Sequence, residues 1–317
     1  MSSDRHRGEA LLIEGNAGVF NRIRLAVALT VVVLASGAAS FATAAPTAEG
    51  GRILFWSGRS GFPSVWQMNA DGTRARELTR FPENAKRGVL SPDGRRVAFD
   101  GAARGVAAMT NFDIQVMDVD GSRRARLTTS PAKDIDPQWS PDGTTISYTH
   151  QLDNSGRQVS IWLMKPDGTG KRRLVTGGEA RWAPDGKRIL IERWRGAQTD
   201  LFVLDIPSGE LAQLTSTSAY EEPGGWSPNG TSIVFTREDT LGNRDVYTID
   251  ADGSNPRRLT RSPAQDTACA FSPDGRWIVF TSNRTGRDQV FVMAPDGSRQ
   301  RNVSRSRSDD EATQWHP

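Results

Sequence analysis

Cysteine and histidine are scarce in this 317-residue chain, which contains one cysteine and three histidines. A lone cysteine forms no disulfide framework, and the place of Cys269 on a predicted inner strand favours a small buried hydrophobe over a reactive thiol. After residue 44 the histidines are His150, in a predicted loop, and His316 near the C-terminus. Two histidines make a histidine-based metal site or a Ser-His-Asp triad improbable, and we predict no catalytic residues.

Catalytic sequence motifs and an excess of one charge are missing as well. The chain contains no Gly-x-Ser-x-Gly, His-Glu-x-x-His or phosphate-loop pattern. Its 40 lysines and arginines nearly balance its 37 aspartates and glutamates, which leaves a net charge of +3. Because nucleic-acid binding needs a strong basic footprint, we expect no nucleic-acid partner.

A long apolar run occurs in one segment, residues 25–44, which follows two arginines and ends in Ala-Thr-Ala before Ala-Pro. A basic start, an apolar core and a small-x-small end are typical of a secretory signal peptide. We therefore predict a signal peptide over residues 1–44 and a periplasmic or secreted domain over residues 45–317. An uncleaved membrane anchor is the alternative, because a run of this length can just span a bilayer. The long polar leader suggests a true translation start near Val19.

A repeated turn is what the chain has in abundance. The pattern Ser-Pro-Asp-Gly, with two near copies, recurs about every 44 residues, at Ser91–Gly94, Ser140–Gly143, Ala183–Gly186, Ser227–Gly230 and Ser272–Gly275. Proline presets φ at the second turn position, Asp or Asn tolerates the third, and glycine accepts unusual angles. An aromatic residue generally precedes the turn and an alternating apolar run follows it. The pattern therefore predicts a hairpin between two strands.

A second turn, usually centred on Asp-Gly, follows later in each unit. Before it stands a strand-like run such as Val65–Met68 or Val290–Met293, and after it a short run that ends in a pair such as Leu78-Thr79. Four strands in a unit of about 40 to 45 residues match one blade of a β-propeller.

The two ends of the chain together supply a sixth blade. Gln314–Pro317 matches the residues that precede a first turn, and Gly50–Phe55 matches the strand that follows one. We therefore predict an all-β fold, a six-bladed β-propeller with four-stranded blades, whose ring closes by pairing the C-terminal strand into the N-terminal blade. Closure removes the exposed strand edges that an open arc would leave.

Acidic residues stand at or near the start of the predicted innermost strands in five of the six blades. They are Asp134, Glu179, Glu221, Glu222, Asp266, Asp310 and Glu311. Innermost strands line the channel of a propeller, so we predict an acidic ring at one channel mouth that holds a cation or attracts a basic peptide. The alternative is that each carboxylate caps backbone amides of a neighbouring blade. The blade that begins with Lys86 and Arg87 breaks the pattern.

We expect no cofactor, with a divalent cation such as calcium in the channel as a weaker prediction and the identity of any metal unknown. A recognition residue is predicted in one of the loops between the second and third strands, because loops on rigid scaffolds commonly carry recognition. Trp194, which stands between two arginines, is the candidate contact residue. The alternative is that it packs on a neighbouring loop.

The Trp-Ser-Pro-Asp-Gly turns and the segment Phe280–Gly297 resemble the TolB-type six-bladed β-propeller family, which has WD-like repeats, and the resemblance covers about residues 50–317. It implies a channel-bearing propeller of the bacterial envelope that binds a lipoprotein and disordered segments of its partners. The α/β domain that precedes that propeller is not expected in this chain. The chain is also similar to propellers of prolyl oligopeptidase-type and tricorn-type peptidases, and to an oligogalacturonate lyase propeller with metal-binding histidines.

These observations together predict a monomeric protein- or peptide-binding module at the cell envelope that is not an enzyme. One alternative is a carboxylate-based enzyme that acts on a polysaccharide. Another is a scaffold propeller related to those that accompany peptidases. Fold alone does not choose among them, because propellers carry many unrelated functions.

Overall fold

The computed structural model describes residues 46–47, 50–79, 84–102, 111–153 and 158–317, without the side chains of residues 268 and 269. The predicted signal peptide therefore lies outside the described residues, and so does the side chain of Cys269. Both predictions stay open. The described part of the chain contains no helix that is long and apolar enough to cross a bilayer.

The described residues form 24 strands. In chain order they are β1 (Arg52–Ser57), β2 (Ser64–Asn69), β3 (Arg76–Glu77), β4 (Lys86–Leu90), β5 (Arg96–Ala102), β6 (Phe112–Asp118), β7 (Ala125–Arg126), β8 (Lys133–Trp139), β9 (Ile146–Gln151), β10 (Val159–Met164), β11 (Arg172–Thr176), β12 (Gly178–Trp182), β13 (Arg188–Arg195), β14 (Gln198–Asp205), β15 (Leu211–Gln213), β16 (Tyr220–Trp226), β17 (Ser232–Glu238), β18 (Arg244–Asp250), β19 (Arg257–Arg258), β20 (Asp266–Phe271), β21 (Ile278–Ser282), β22 (Gln289–Met293), β23 (Arg301–Asn302) and β24 (Asp310–His316).

The strands pair into six four-stranded sheets, which are the six blades of a propeller. Blade 1 contains β24 followed by β1–β3, and blades 2 to 6 are β4–β7, β8–β11, β12–β15, β16–β19 and β20–β23. Successive blades pack on each other, and blade 6 packs on β24 of blade 1. The predicted all-β, six-bladed fold is confirmed.

Ring closure follows the prediction. β24 pairs antiparallel with β1, so that Trp315 lies opposite Ile53. The indole of Trp315 donates to the carbonyl of Gly50 at 2.9 Å. Thr313 Oγ1 reaches the next blade and donates to the carbonyl of Gly88 at 2.7 Å. The last strand therefore completes blade 1 and also ties it to blade 2, which leaves the ring without an open inner edge.

The apolar core lies between the blades. Each of six buried hydrophobic clusters joins two neighbouring blades, and together they cover all six interfaces. The second strand of a blade contributes to both of its interfaces, which explains why runs such as Ile53–Phe55 and Ile278–Phe280 are apolar at every position and fully buried. The continuity of these runs is what a strand covered on both faces requires.

The two repeated turns lie on one face of the ring. In a meander of antiparallel strands, the first and third connections of a blade share one face, and the second connection and the link to the next blade share the other. We call the face with the first and third connections the turn face, and the face with the second connections and the links between blades the loop face. Gly72, in the second turn of blade 1, has φ of 89°. A Cβ there would lie 2.1 Å from the carbonyl oxygen of Val303 in blade 6.

Candidate binding site in the central channel

Each innermost strand carries a β-bulge near the middle of its length. The register between the first and second strands shifts at the same place in all six blades. In three successive blades a residue at the bulge has positive φ without being glycine, namely Arg87 at 44°, Asp136 at 53° and Glu179 at 51°. Bulges re-aim side chains and are frequent next to functional sites. Here they lie along the channel wall.

Four of the seven predicted acidic residues are held inside the blades. Asp134, Glu221, Asp266 and Asp310 are at most 1% exposed. Each contacts a basic side chain of its own blade: Asp134 with His150 (2.6 Å), Glu221 with Arg237 (2.7 Å), Asp266 with Arg284 (2.8 Å) and Asp310 with Arg59 (2.6 Å). His150 lies within β9 and not in the loop expected for it. These carboxylates therefore have side-chain partners in their own blades, and among the described residues they accept no hydrogen bond from a backbone amide of a neighbouring blade.

The other three predicted residues, Glu179, Glu222 and Glu311, lie one or two positions further along their strands and are only partly buried. Glu311 accepts a hydrogen bond from the indole of Trp56 at 2.5 Å. The ammonium group of Lys86 lies 4.7 Å from the centre of the Trp56 ring. Burial raises the pKa of Glu311, although the Trp56 hydrogen bond opposes the shift.

An ion-pair network that the sequence did not reveal crosses from blade 2 to blade 4. Arg181 contacts Asp136 at 2.6 Å and Glu179 at 3.5 Å. Arg87 contacts Asp100 at 3.3 Å, and the same carboxylate accepts the backbone N–H of Asp136 at 3.1 Å. Burial would lower the pKa of Arg87, but the carboxylates of Asp100, Asp136 and Glu179 hold it above its ordinary value.

A small cavity in the channel is lined by this network. Its volume is about 110 Å³, and its walls include Trp56, Arg87, Asp136, Arg181 and Glu311. The lining side chains come from blades 1, 2, 3 and 4. A helix, about 10 Å across, is too wide for this space, whereas one extended side chain or a few water molecules fit.

Glu192, which the sequence reasoning missed, is the least satisfied carboxyl group of the channel wall. It is 7% exposed, and its Oε2 has no hydrogen-bond partner. Burial, together with the nearby carboxylates of Glu179 and Glu222, raises its pKa well above the ordinary value. Burial likewise raises the pKa of Glu179 to about 7, against the opposing effect of Arg181. Aligning the six units on the aromatic before the first turn would have marked Glu192, since blades 3, 5 and 6 have threonine at its position.

Trp194 lies near the loop-face end of β13, two residues beyond Glu192. Its ring packs on Tyr220 of blade 5, with the ring centres 5.7 Å apart. Burial raises the pKa of Tyr220, and the carboxylates of Glu192, Glu222 and Glu179 add to the shift. The phenol therefore lies within electrostatic reach of the three glutamates. A ligand role for Trp194, as for the seven acidic residues, stays a prediction.

Comparison with known proteins identifies the family to which this chain belongs. A model of the TolB beta propeller domain matches residues 89–243 and 226–317. A protein TolB homolog of Chlorobium luteolum is 31% identical over 273 residues, which cover 84% of this chain and 60% of that protein. An uncharacterized peptidase, YuxL, of Bacillus subtilis is 32% identical over 162 residues, or 50% of this chain and 23% of that protein.

A solved structure supports the same fold. The crystal structure of TolB from Acinetobacter baumannii superposes with a TM-score of 0.70 at 20% identity, covering 82% of this chain and 65% of that one. At this identity the superposition shows the fold alone. The chain spans less than two thirds of the length of these two TolB proteins.

Proposed function

This chain belongs to the TolB β-propeller domain family, and we propose that it is a non-enzymatic binding module of the periplasm or cell exterior. Its ligand is an extended segment of a partner protein, which docks on the loop face and enters the mouth of the channel. The observation that carries the proposal is the carboxylate set of the mouth, with Glu179 and Glu222 partly buried and Glu192 buried, beside a cavity that admits one extended side chain. Acidic walls of this kind attract and retain positively charged ligands.

Exposed apolar side chains favour the loop face as the docking surface. The large hydrophobic side chains that the described residues expose are Phe62, Leu152 and Leu241, at 52%, 66% and 92%. All three lie in connections between second and third strands, in blades 1, 3 and 5. They therefore lie on the same face of the ring as the mouth that carries the glutamates and provide apolar contacts that a bound partner would cover.

Site-specific photo-crosslinking in intact cells tests this proposal. A photoreactive amino acid at Leu241 on the loop face is expected to give a discrete crosslinked species with one protein. The matched control places it at Glu210, an exposed residue in the turn between β14 and β15 on the turn face, and should give no such species. The same products from both positions, or none from either, would contradict the proposal.

A carboxylate-based enzyme is the second candidate, and one observation favours it. The pKa values of Asp100, Glu179, Glu192 and Glu311 are all raised by burial, and protonated carboxyl groups beside ionised ones can serve as acid and base. The cavity admits one extended side chain, which favours a side chain of a docked peptide over a sugar ring. Incubation with a panel of cell-wall and plant polysaccharides decides the matter, because release of reducing sugar or of unsaturated product that is lost in Glu179→Gln would establish the enzyme.

A further inference from the structure

Blades 2 and 4 share an arrangement that differs at one decisive residue. Arg87 in blade 2 and Glu179 in blade 4 occupy the same bulge position, with φ of 44° and 51°. On the second strands, Asp100 and Glu192 occupy equivalent register positions. In blade 2 the arginine pairs with the buried aspartate at 3.3 Å. In blade 4 a glutamate stands where the arginine would be, so Glu192 has no basic partner at this position.

Glu192 has also lost the backbone donor that its position normally receives. At this place a second-strand side chain accepts the N–H of the bulge residue in the following blade. The observed pairs are Asp136 with Asp100, Glu179 with Thr149 and Ala312 with Thr281, at 3.1, 3.1 and 3.0 Å. For Glu192 of blade 4, the bulge residue of the following blade is Pro223. Proline has no N–H to donate. Both usual partners of the carboxyl group are therefore absent, which explains why its Oε2 is buried without a hydrogen bond.

The arginines near this carboxyl group are engaged elsewhere. Arg181 contacts Asp136 at 2.6 Å and lies further, at 3.5 Å, from Glu179. Arg244 contacts Glu238 at 3.0 Å and Glu222 at 3.3 Å. Two arginines thus serve several carboxylates, and the local charge is negative when the glutamates are ionised. A buried carboxylate without a counter-ion is costly, and an arriving cation would relieve that cost.

We propose that Glu179, Glu192 and Glu222 form a receptor for one cationic side chain, the ammonium group of a lysine or the guanidinium group of an arginine, carried by the segment that enters the channel. The guest occupies the place that the Arg87 guanidinium fills in blade 2. The ring of Tyr220, which packs on Trp194, already lies 5.5 Å from the guanidinium group of Arg244, so the aromatic pair is a surface that an organic cation can contact. Among the described residues no group of three acidic, histidine or cysteine side chains is placed to hold a metal ion.

This inference rests on the proposed function and specifies the chemistry of its ligand. Two small probes, n-butylammonium chloride and L-arginine amide, are titrated into the purified full chain and followed by NMR. We expect saturable binding with shifts confined to blades 4 and 5. Affinity should rise from pH 5 to pH 8, since the raised pKa values of Glu179 and Glu192 mean that the receptor ionises over this range. The charged groups that face the receptor from outside it are Asp136, Arg87, Arg181 and Arg244.

Two variants and one control give the test its specificity. Glu192→Gln removes the charge at constant shape, and Glu179→Arg supplies the internal arginine that blade 2 has. Each should weaken probe binding by about tenfold or more. Glu210→Gln, on the turn face of the same blade, should leave it unchanged. Unfolding curves confirm that each variant is folded. The two substitutions in the receptor differ enough in shape that one folded variant suffices for the test.

Three results would overturn the inference. The first is equal probe affinity in the parent chain and both variants, and the second is no saturable binding at any pH. The third is tight binding of calcium chloride that Glu192→Gln abolishes and that displaces the probes, which would identify a metal site. Failure here is distinct from failure of the proposed function: crosslinking from Leu241 can still capture a partner when the cation receptor is disproved.

Discussion

Neutralising Glu179 should change the pH dependence of folding stability in a defined direction. Its pKa is raised from 4.5 to about 7, first by burial and then by Asp136 and Glu222, against the opposing effect of Arg181. The folded protein therefore retains a proton that the unfolded chain has released between these pH values. Folding stability present at pH 4.5 is lost as the pH rises to about 7. Glu179→Gln cannot lose a proton and should escape this loss.

The size of the effect follows from the same values. Each pKa unit corresponds to about 1.4 kcal/mol, so a change from 4.5 to about 7 is worth about 3 kcal/mol as an upper limit. The side chain is 29% exposed, and water contact reduces the cost of its charge, so we expect a gain of about 1 to 3 kcal/mol for Glu179→Gln at pH 8. At pH 4 the two proteins should be equally stable. The carboxylate of Glu179 also raises the pKa of Glu192, so both groups contribute to the pH dependence of the parent chain.

Urea unfolding followed by tryptophan fluorescence, repeated at intervals from pH 4 to pH 8, measures this difference. Glu210→Gln is the matched control, because it makes the same chemical change at an exposed site in the same blade. Its unfolding free energy should follow that of the parent chain at every pH. A constant offset between Glu179→Gln and the parent chain, or a gain at pH 4 that disappears at pH 8, would refute the reasoning.

Three further predictions concern the scaffold. Ending the chain at Ser306 removes β24 and should abolish the cooperative thermal transition seen by circular dichroism, since the loss is on the order of the whole stability of a domain; an unchanged midpoint would contradict it. Gly72→Ala should cost about 2 kcal/mol more than Gly121→Ala in urea unfolding, because φ is 89° at both but only Gly72 has a neighbouring carbonyl in the way. Equal costs would exclude the inter-blade contact as the cause. Arg284→Gln should cost about 3 to 5 kcal/mol of folding stability, because it leaves Asp266 buried without its partner. Adding Asp266→Asn should recover part of that cost. Additive effects of the two substitutions on the free energy of unfolding would contradict a stabilising ion pair.

The repeat itself made the architecture predictable. The turn residues around Pro92 and Gly94 work locally, through fixed and positive φ angles and through the Ser91 hydroxyl, which donates to Asp93 at 2.5 Å. A local requirement repeated at constant spacing gives both blade length and blade number. The segment at Trp315 matches the first part of a repeat unit, and the segment at Ile53 matches the part that follows. The two ends of the chain could therefore be assigned to one shared blade from the sequence.

The candidate site was predictable only in outline. Counting residues placed seven acids on the innermost strands, but one-residue bulges decide whether a side chain faces its own blade or the channel. Glu221 and Glu222, which precede the bulge, differ because successive side chains of a strand point to opposite sides: Glu221 is buried against Arg237, and Glu222 contacts Arg244 and stays partly exposed. Asp136 and Glu192 were missed because their roles depend on contacts across a blade interface.

By itself, the sequence determined the class of fold, the number of blades, the closure and the strands that line the channel, because each depends on short-range turn chemistry repeated along the chain. Tertiary structure alone decided which carboxylates are neutralised. The arginine that serves Asp100 is replaced by Glu179 in blade 4, and the donor that would serve Glu192 is replaced by Pro223 in blade 5. The charge of the channel depends on such pairings between residues that are distant in the chain, and the repeat in the sequence does not predict these contacts.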